Sequence, residues 1–291
     1  MTLSFLAGTH WFTYPNIDPV AIHIYRGFGI RWYGLTYLIG AVIVYLQLAS
    51  RRSRNRTGMS VEQAQEFIIY ALLGVFIGGR VLFVIANVLT PVSAGGHPLS
   101  YYLQNPIEFI SIWHGGMAFH GGLAGAIVGI WLFQRRHGLQ LYRLFDETAL
   151  WMPLAITLTR IANFINDELP GRLTASPIGI HFPNFDGYRY PSQLFEAFGM
   201  LAIALPFLWI LHGWSQRKDG LVFWGFFAAY GLIRTIVEFY REPGIVLLGL
   251  TAAQYLTIAM FVVGVAMMIV VQRRSGVRVG QARPLQPRER N

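Results

Sequence analysis

Long apolar runs punctuate the chain. Four stretches carry no Asp, Glu, Lys or Arg: Trp32–Ser50, Phe109–Gln134, Ala197–Gln216 and Pro243–Gln272. Each reaches the ~20 residues needed to cross ~30 Å of hydrocarbon at ~1.5 Å per residue. The first residues of the second and last stretches read as loop. Three more apolar segments are interrupted by charge: Phe67–Leu89 by Arg80, about 145–161 by Asp146, Glu147 and Arg160, and Leu221–Tyr240 by Arg234 and Glu238. The pattern predicts an all-α polytopic membrane bundle of about seven helices. The spans fall at about 32–50, 67–89, 117–134, 145–161, 193–212, 220–240 and 250–272, in a single membrane domain over 1–272. The stretch 163–191 is too polar to span and is rich in Gly and Pro, so a small folded external head is expected there. Residues 273–291 form an Arg-rich polar tail.

Composition sharpens this picture. Hydrophobic residues make up 54% and charged residues 13% of the 291 positions, against about 25% charged in an average soluble domain. There is too little polar surface for a soluble globule and too much apolar surface for a disordered chain. Cysteine is absent, which excludes disulfides, thiolate metal sites and a cysteine nucleophile. No His-Glu-x-x-His run or acidic cluster suggests a metal. Neither metal nor cofactor is expected.

The net charge of +9 is a matter of placement. Arg51, Arg52, Arg54 and Arg56 follow the first span, Arg135, Arg136 and Arg143 the third, Arg217 and Lys218 the fifth, and six arginines the seventh. The alternate loops hold only Arg172, Arg189 and Arg241. The positive-inside rule then makes the C-terminus cytoplasmic and, with seven spans, the N-terminus external. Met1–Asn16 lacks a charged start and a small-residue cleavage site, so no cleavable signal peptide is expected. The basic excess is mainly topological, and nucleic acid is not an expected partner.

Charge inside the bilayer costs ~2.5–3.5 kcal/mol on insertion scales and marks functional sites or structural pairs. Arg160 falls at the outer end of the fourth span. Arg234 and Glu238 are four apart in the outer half of the sixth, on one helix face. Arg80 lies near the middle of the second. His120 lies one turn into the third, within Gly115-Gly-Met-Ala-Phe-His-Gly-Gly-Leu-Ala-Gly125. Arginines without enough carboxylates suit an anionic lipid headgroup, because guanidinium binds phosphate bidentately. Internal pairing of Arg234 with Glu238, hydrogen-bonded packing of His120 and close packing by the glycines are the plainer accounts. Asp146 and Glu147 sit near the start of the fourth span, where a helix N-terminus favours carboxylates, and read as structural. Trp32 and Tyr33 read as interfacial aromatics. Arg160, Asn163, Asn166, Asp167, Glu168 and Arg172 crowd into thirteen residues where the chain leaves the membrane. Capping needs fewer polar groups than that.

At this stretch the chain resembles the bacterial phosphatidylglycerol–prolipoprotein diacylglyceryl transferases. Their signature is Gly-Arg-x-(Gly/Ala)-Asn-Phe-hydrophobic-Asn-x-Glu-x-x-Gly. Here it reads Thr159-Arg-Ile-Ala-Asn-Phe-Ile-Asn-Asp-Glu-Leu-Pro-Gly171. Asn16–Val20, Arg31–Tyr37, Gly78–Arg80, Gly115–Gly122, Tyr190-Pro-Ser-Gln-Leu-Phe-Glu196 and Tyr230–Arg241 are similar to the family's other motifs, in order. Two positions depart: Thr159 stands for the usual Gly, and Tyr190 for the His usual before Pro-Ser-Gln.

The resemblance implies transfer of the diacylglyceryl group of phosphatidylglycerol to the lipobox cysteine thiol of a prolipoprotein signal peptide. Glycerol 1-phosphate is released, at the bacterial cytoplasmic membrane. The partners implied are phosphatidylglycerol, prolipoprotein signal peptides and the bilayer. In the roles it implies, His120 deprotonates or orients the thiol, while Arg160 and Arg234 hold the phosphate. Asn163, Asn166 and Glu168 bind glycerol hydroxyls or brace the arginines, and Glu238 positions Arg234. Arg80 is a further candidate for the phospholipid. Tyr33 is carried over as a catalytic position and Gly171 as a binding one, and Tyr33 or Glu238 is the alternative to His120 as the base. Three other classes stay open on the residues alone. A transporter lacks an inverted repeat here. An intramembrane protease lacks a Ser–His dyad or paired membrane aspartates. A non-catalytic lipoprotein-binding relative would account for Thr159 and Tyr190.

Overall fold

Within hydrocarbon each backbone N–H and C=O must be satisfied by the chain itself, and helices do this segment by segment. A computed structural model describes residues 10–273, save positions 16, 26–27, 112–115 and 245. It is mostly helical. The helices are α1 (Trp32–Ala49), α2 (Arg51–Thr57), α3 (Val61–Leu89), α4 (Leu99–Gln104), α5 (Phe119–His137), α6 (Leu141–Ala149), α7 (Met152–Ile165), α8 (Ser192–Gly199), α9 (Leu205–Gly213), α10 (Leu221–Glu238) and α11 (Ala252–Arg273). Three two-stranded antiparallel ribbons join them: β1 (Val20–Tyr25) with β2 (Phe28–Arg31), β3 (Ile180–His181) with β4 (Tyr188–Arg189), and β5 (Val246–Leu247) with β6 (Leu250–Thr251). Leu38, Leu46, Ile77, Ile127, Ile210 and Val262 point outward from their helices, as lipid-facing side chains do.

Five helical segments are long and apolar enough to cross a membrane: α1, α3, Ser192–Gly213, α10 and α11. The pair α6 and α7 makes a sixth, bent by 44° at its break. The expected fourth span over 145–161 is therefore two helices, with Pro153 in the first turn of α7. Proline lacks the amide hydrogen a continuous helix would need. The fifth span also has a defect. A π-helical turn, Met200–Ala204, separates α8 from α9, which carries Pro206 in its first turn. The second span begins at Val61 rather than 67, because Ser60 and Gln63 form a reciprocal capping box.

The described chain forms two compact units, Leu48–Leu141 and the segments up to Gln47 and from Tyr142 onward. In the first, α3 and α5 pack through facing glycines. A methyl group on Gly125 would sit 1.9 Å from the Gly74 carbonyl, and one on Gly78 2.3 Å from the Gly121 carbonyl. Backbones that close exploit dispersion where no hydrophobic effect drives helices together. Gly121 and Gly125 of the His120-bearing run thus have the packing role that was the glycines' plainer account.

In the second unit, Met200 and Ala204 of the π turn pack on Ile233 and Val237 of α10. Asp146 and Glu147 are buried within α6 and do not serve its N-terminus. Asp146 accepts from the amides of Gly220 and Phe223, both at 2.9 Å, so it caps α10. Arg217 Nη1 donates to it at 2.6 Å. Glu147 accepts from Gln47 at 2.6 Å and pairs with His212 at 2.9 Å. Arg217, counted above as a surface topology signal, is 2% exposed. The carboxylates are structural as expected, but the helix end they serve belongs to another element. Within 163–191, Phe164, Ile180 and Phe182 form a buried apolar cluster, with Tyr14, Phe185 and Leu194 packed against it.

Gly125→Ala should push α3 and α5 apart and cost ~1–3 kcal/mol, the range for overpacking, seen as a lower unfolding midpoint in detergent. Gly122→Ala, whose methyl would meet Val75 at 3.4 Å, should leave the midpoint nearly unchanged. Equal midpoints for the two variants would rule out this helix approach.

Candidate active site

The polar site of the larger unit is assembled from α1, α7, α8, α10 and two loops. Its centre is Glu196, in the first turns of α8 and fully buried. Arg160 Nε of α7 lies 3.0 Å from one carboxylate oxygen of Glu196, and Arg234 Nε of α10 lies 3.9 Å from the other. Arg234 Nη1 also meets Glu238 Oε2 at 2.6 Å, the expected pairing on one helix face. Arg241 Nε, just past α10, lies 3.6 Å from the same Glu238 oxygen. Thr251 donates to Glu238 at 3.3 Å. Three guanidiniums thus share two carboxylates. Burial, with Arg234 and Arg160 nearby, holds the Arg241 guanidinium below the ordinary arginine range, although Glu196 and Glu238 act the other way. Its Nη1 is buried and meets no hydrogen-bond partner among the described residues.

A second string of contacts leads away from Arg160. Its Nη1 donates to Asn163 Oδ1 at 3.1 Å, one turn further along α7. The Asn163 amide donates to the Tyr33 hydroxyl, which donates in turn to Glu168. Tyr33, at the start of α1, links that helix through its hydroxyl to the loop after α7. That loop is held in an uncommon shape. Asp167 and Leu169, on either side of Glu168, both have φ of 55°, in the left-handed region that costs a branched residue such as leucine ~1–2 kcal/mol. Gln193 of α8 donates to the Glu168 carbonyl at 2.6 Å, and Ser192 to the Leu169 carbonyl at 3.3 Å. Asn166 is the C-cap of α7, and its Oδ1 is buried without a hydrogen-bond partner among the described residues.

Gly171 acquires a physical role. Its amide donates to the Tyr190 carbonyl at 2.8 Å, and an added methyl would lie 2.2 Å from the Tyr240 carbonyl. Only glycine lets the three strands of chain meet there. Tyr190 places its ring edge-on to Tyr240, with centroids 5.2 Å apart. It fills space by aromatic packing. Thr159 returns its hydroxyl to the Ala155 carbonyl of its own helix at 3.0 Å.

Arg160, Arg234, Glu238, Asn163, Tyr33 and Glu168 are thus brought into one network. Arg80 belongs to the other unit. Its guanidinium donates to the carbonyls of Phe109, Glu108 and Gly116 and ties those backbone positions to α3. His120 lies in the first turn of α5, and its side chain is outside the described residues. Sequence reasoning missed Glu196, Gln193 and Arg241 as site residues. A charge-free window excluded Glu196 by starting at Ala197. The signal was present, since Gln193 and Glu196 are three apart at the head of an apolar run. Arg241 reads as an external loop charge at the end of the family-like run Tyr230–Arg241, with no site role.

Lipid-facing helices around a buried polar site with three arginines and two carboxylates define a multi-pass membrane protein. The prolipoprotein diacylglyceryl transferase family model matches residues 19–270, and the chain belongs to that family. It is 40% identical over 268 residues to the phosphatidylglycerol–prolipoprotein diacylglyceryl transferase of Bordetella parapertussis, covering 89% of this chain and 97% of the relative. It is 38% identical over 270 residues to that of Geobacter sulfurreducens, covering 90% and 98%. The Brucella anthropi enzyme is 37% identical over 239 residues, covering 79% and 81%.

Removing one member of a buried pair strands a charge and costs ~3–5 kcal/mol, whereas exposed pairs contribute ~0–1 kcal/mol. Glu196→Ala should therefore lower the unfolding midpoint sharply. Glu242→Ala, which removes the exposed partner of Arg189, should barely move it. Similar shifts would mean that Glu196 is not a buried counter-charge.

Proposed function

We propose that this protein transfers the diacylglyceryl group of phosphatidylglycerol to the thiol of a prolipoprotein lipobox cysteine, the first step of bacterial lipoprotein maturation. A sulfur–carbon bond forms at the glyceryl carbon, and that carbon's bond to the phosphate oxygen breaks. The thiol proton passes to a base, and glycerol 1-phosphate leaves. The phosphodiester carries one negative charge and the departing monoester approaches two at neutral pH. Charge therefore develops on phosphate oxygens in the transition state. Preorganised cations in a site shielded from water stabilise such charge most effectively. The observation that carries this reading is the pair Arg160 and Arg234, held on opposite oxygens of one buried carboxylate.

In this scheme Arg160 and Arg234 receive the phosphate. Glu238 fixes Arg234, and Asn163 fixes Arg160. Tyr33 and Glu168 tie Asn163 to the external loop. Asn166 offers an acceptor at the end of α7, and Gly171 keeps the neighbouring backbone segments together. Arg80 is assigned to the phospholipid on its sequence position alone. His120 is assigned as the thiol base on its sequence motif alone. The nucleophile belongs to the substrate, so a chain without cysteine is suited to the reaction. The acceptor arrives as a signal helix within the bilayer of the cytoplasmic membrane. The distribution of arginines supports an external N-terminus and a cytoplasmic C-terminus.

Purified protein, mixed with labelled phosphatidylglycerol and a lipobox peptide, should release glycerol phosphate. The peptide should become heavier by one diacylglyceryl group, and a Cys→Ser peptide should stay unmodified. Arg160→Ala and Arg234→Ala should each lower turnover about 100-fold or more, the scale for losing one charge-stabilising donor. Near-normal turnover in His120→Ala and Arg160→Ala would sink the scheme.

A further inference from the structure

Gln193 is fully buried, yet only half of its amide is used. Its Nε2 donates to the Glu168 carbonyl at 2.6 Å, while its Oε1 is buried and meets no donor among the described residues. The amide cannot be turned to relieve this, because that would set Oε1 against the Glu168 carbonyl oxygen. A buried acceptor without a donor is costly and calls for an explanation. Gln193 lies three residues before Glu196 on α8, so the two side chains share a helix face one turn apart. Its other contact is the residue whose carboxylate receives the Tyr33 hydroxyl. The unused oxygen is thus tied on one side to the arginine-binding turn of α8 and on the other to the loop after α7. Among the arginines, Nη1 of Arg241 is a buried donor with no hydrogen-bond partner among the described residues, and it makes none of the close ion-pair contacts that Arg160 Nε and Arg234 Nη1 make. An unfilled donor among cations and an unfilled acceptor one helical turn from their shared carboxylate complement a phosphate ester that carries a free hydroxyl.

We infer that Gln193 is a specificity-determining residue, whose Oε1 accepts a hydrogen bond from a hydroxyl of the phospholipid donor's headgroup. This rests on the proposed transfer from phosphatidylglycerol and adds how that headgroup is told from others. The phosphate is common to many lipids, and the arginines alone do not discriminate among them. A site built to bond a substrate hydroxyl rejects the analogue that lacks it, because its own polar group is then left unpaired.

The test compares two donors with the same acyl chains, phosphatidylglycerol and phosphatidylpropanol. Their leaving phosphate esters are chemically alike, and both yield the same diacylglyceryl peptide, scored by mass. The full chain in lipid nanodiscs should favour phosphatidylglycerol about tenfold or more in kcat/KM. Gln193→Met keeps the length of the side chain and removes the acceptor. It should shrink that preference about fivefold or more, chiefly by slowing the reaction with phosphatidylglycerol. A loss of stability alone would slow both donors alike and leave the ratio in place. An unchanged ratio in Gln193→Met overturns the inference. So does a wild-type protein that uses both donors equally, a result that needs no variant to fold. No transfer from either donor would instead overturn the proposed function on which the inference stands.

Discussion

Everything at the candidate site depends on one carboxylate taken out of water. Burying an ion costs several kcal/mol even after the protein relaxes, and only well-placed opposite charge repays it. Glu196 is fully buried and meets Arg160 and Arg234 on its two oxygens. That single requirement brings α7, α8 and α10 together at one level. It also leaves the guanidiniums only partly neutralised, since three of them share Glu196 and Glu238. The next carboxylate, Glu168, reaches Arg160 only through Asn163 and Tyr33.

The irregular parts of the helices serve the same end. Pro153 and the bend before α7 re-aim the helix that carries Arg160 and Asn163. Met200 and Ala204 of the π turn pack against Ile233 and Val237 of α10, the residue before Arg234 and the residue three after it. Extra turns of this type commonly accompany functional positions in helices. At the other end of α10, Asp146 caps the helix and takes Arg217 as counter-charge. The helix that presents Arg234 and Glu238 is therefore fixed at both ends by buried charge.

The local pattern made most of the architecture legible. Apolar runs pointed to a helical membrane protein, although α3 begins six residues before its run, the fourth run is two helices, and α5, in the third, is not among the helices apolar enough to cross a membrane. The i,i+4 spacing of Arg234 and Glu238 foretold their pairing. The signature from Arg160 to Gly171 pointed to the family before any contact was known. What stayed illegible were pairings between segments far apart in the chain. Tyr33 reads locally as an interfacial aromatic, and nothing near it announces Asn163 or Glu168. Asp146 reads as a cap for its own helix, yet the amides it receives are those of Gly220 and Phe223. Arg217 reads as a surface charge because its burial depends on partners more than sixty residues away.

The sequence by itself determined that the chain is a helical membrane protein of this family, with cationic polar groups concentrated where the spans end. Those properties follow from transfer energies and helix periodicity, which act over a single turn or span. The tertiary structure alone decided which charges neutralise one another, which glycines are required by backbone contact, and which polar atoms remain unfilled. Those are differences between burial and pairing. They exist only once distant segments share a low-dielectric space, where an ångström of placement decides whether a charge is paired or left for a ligand.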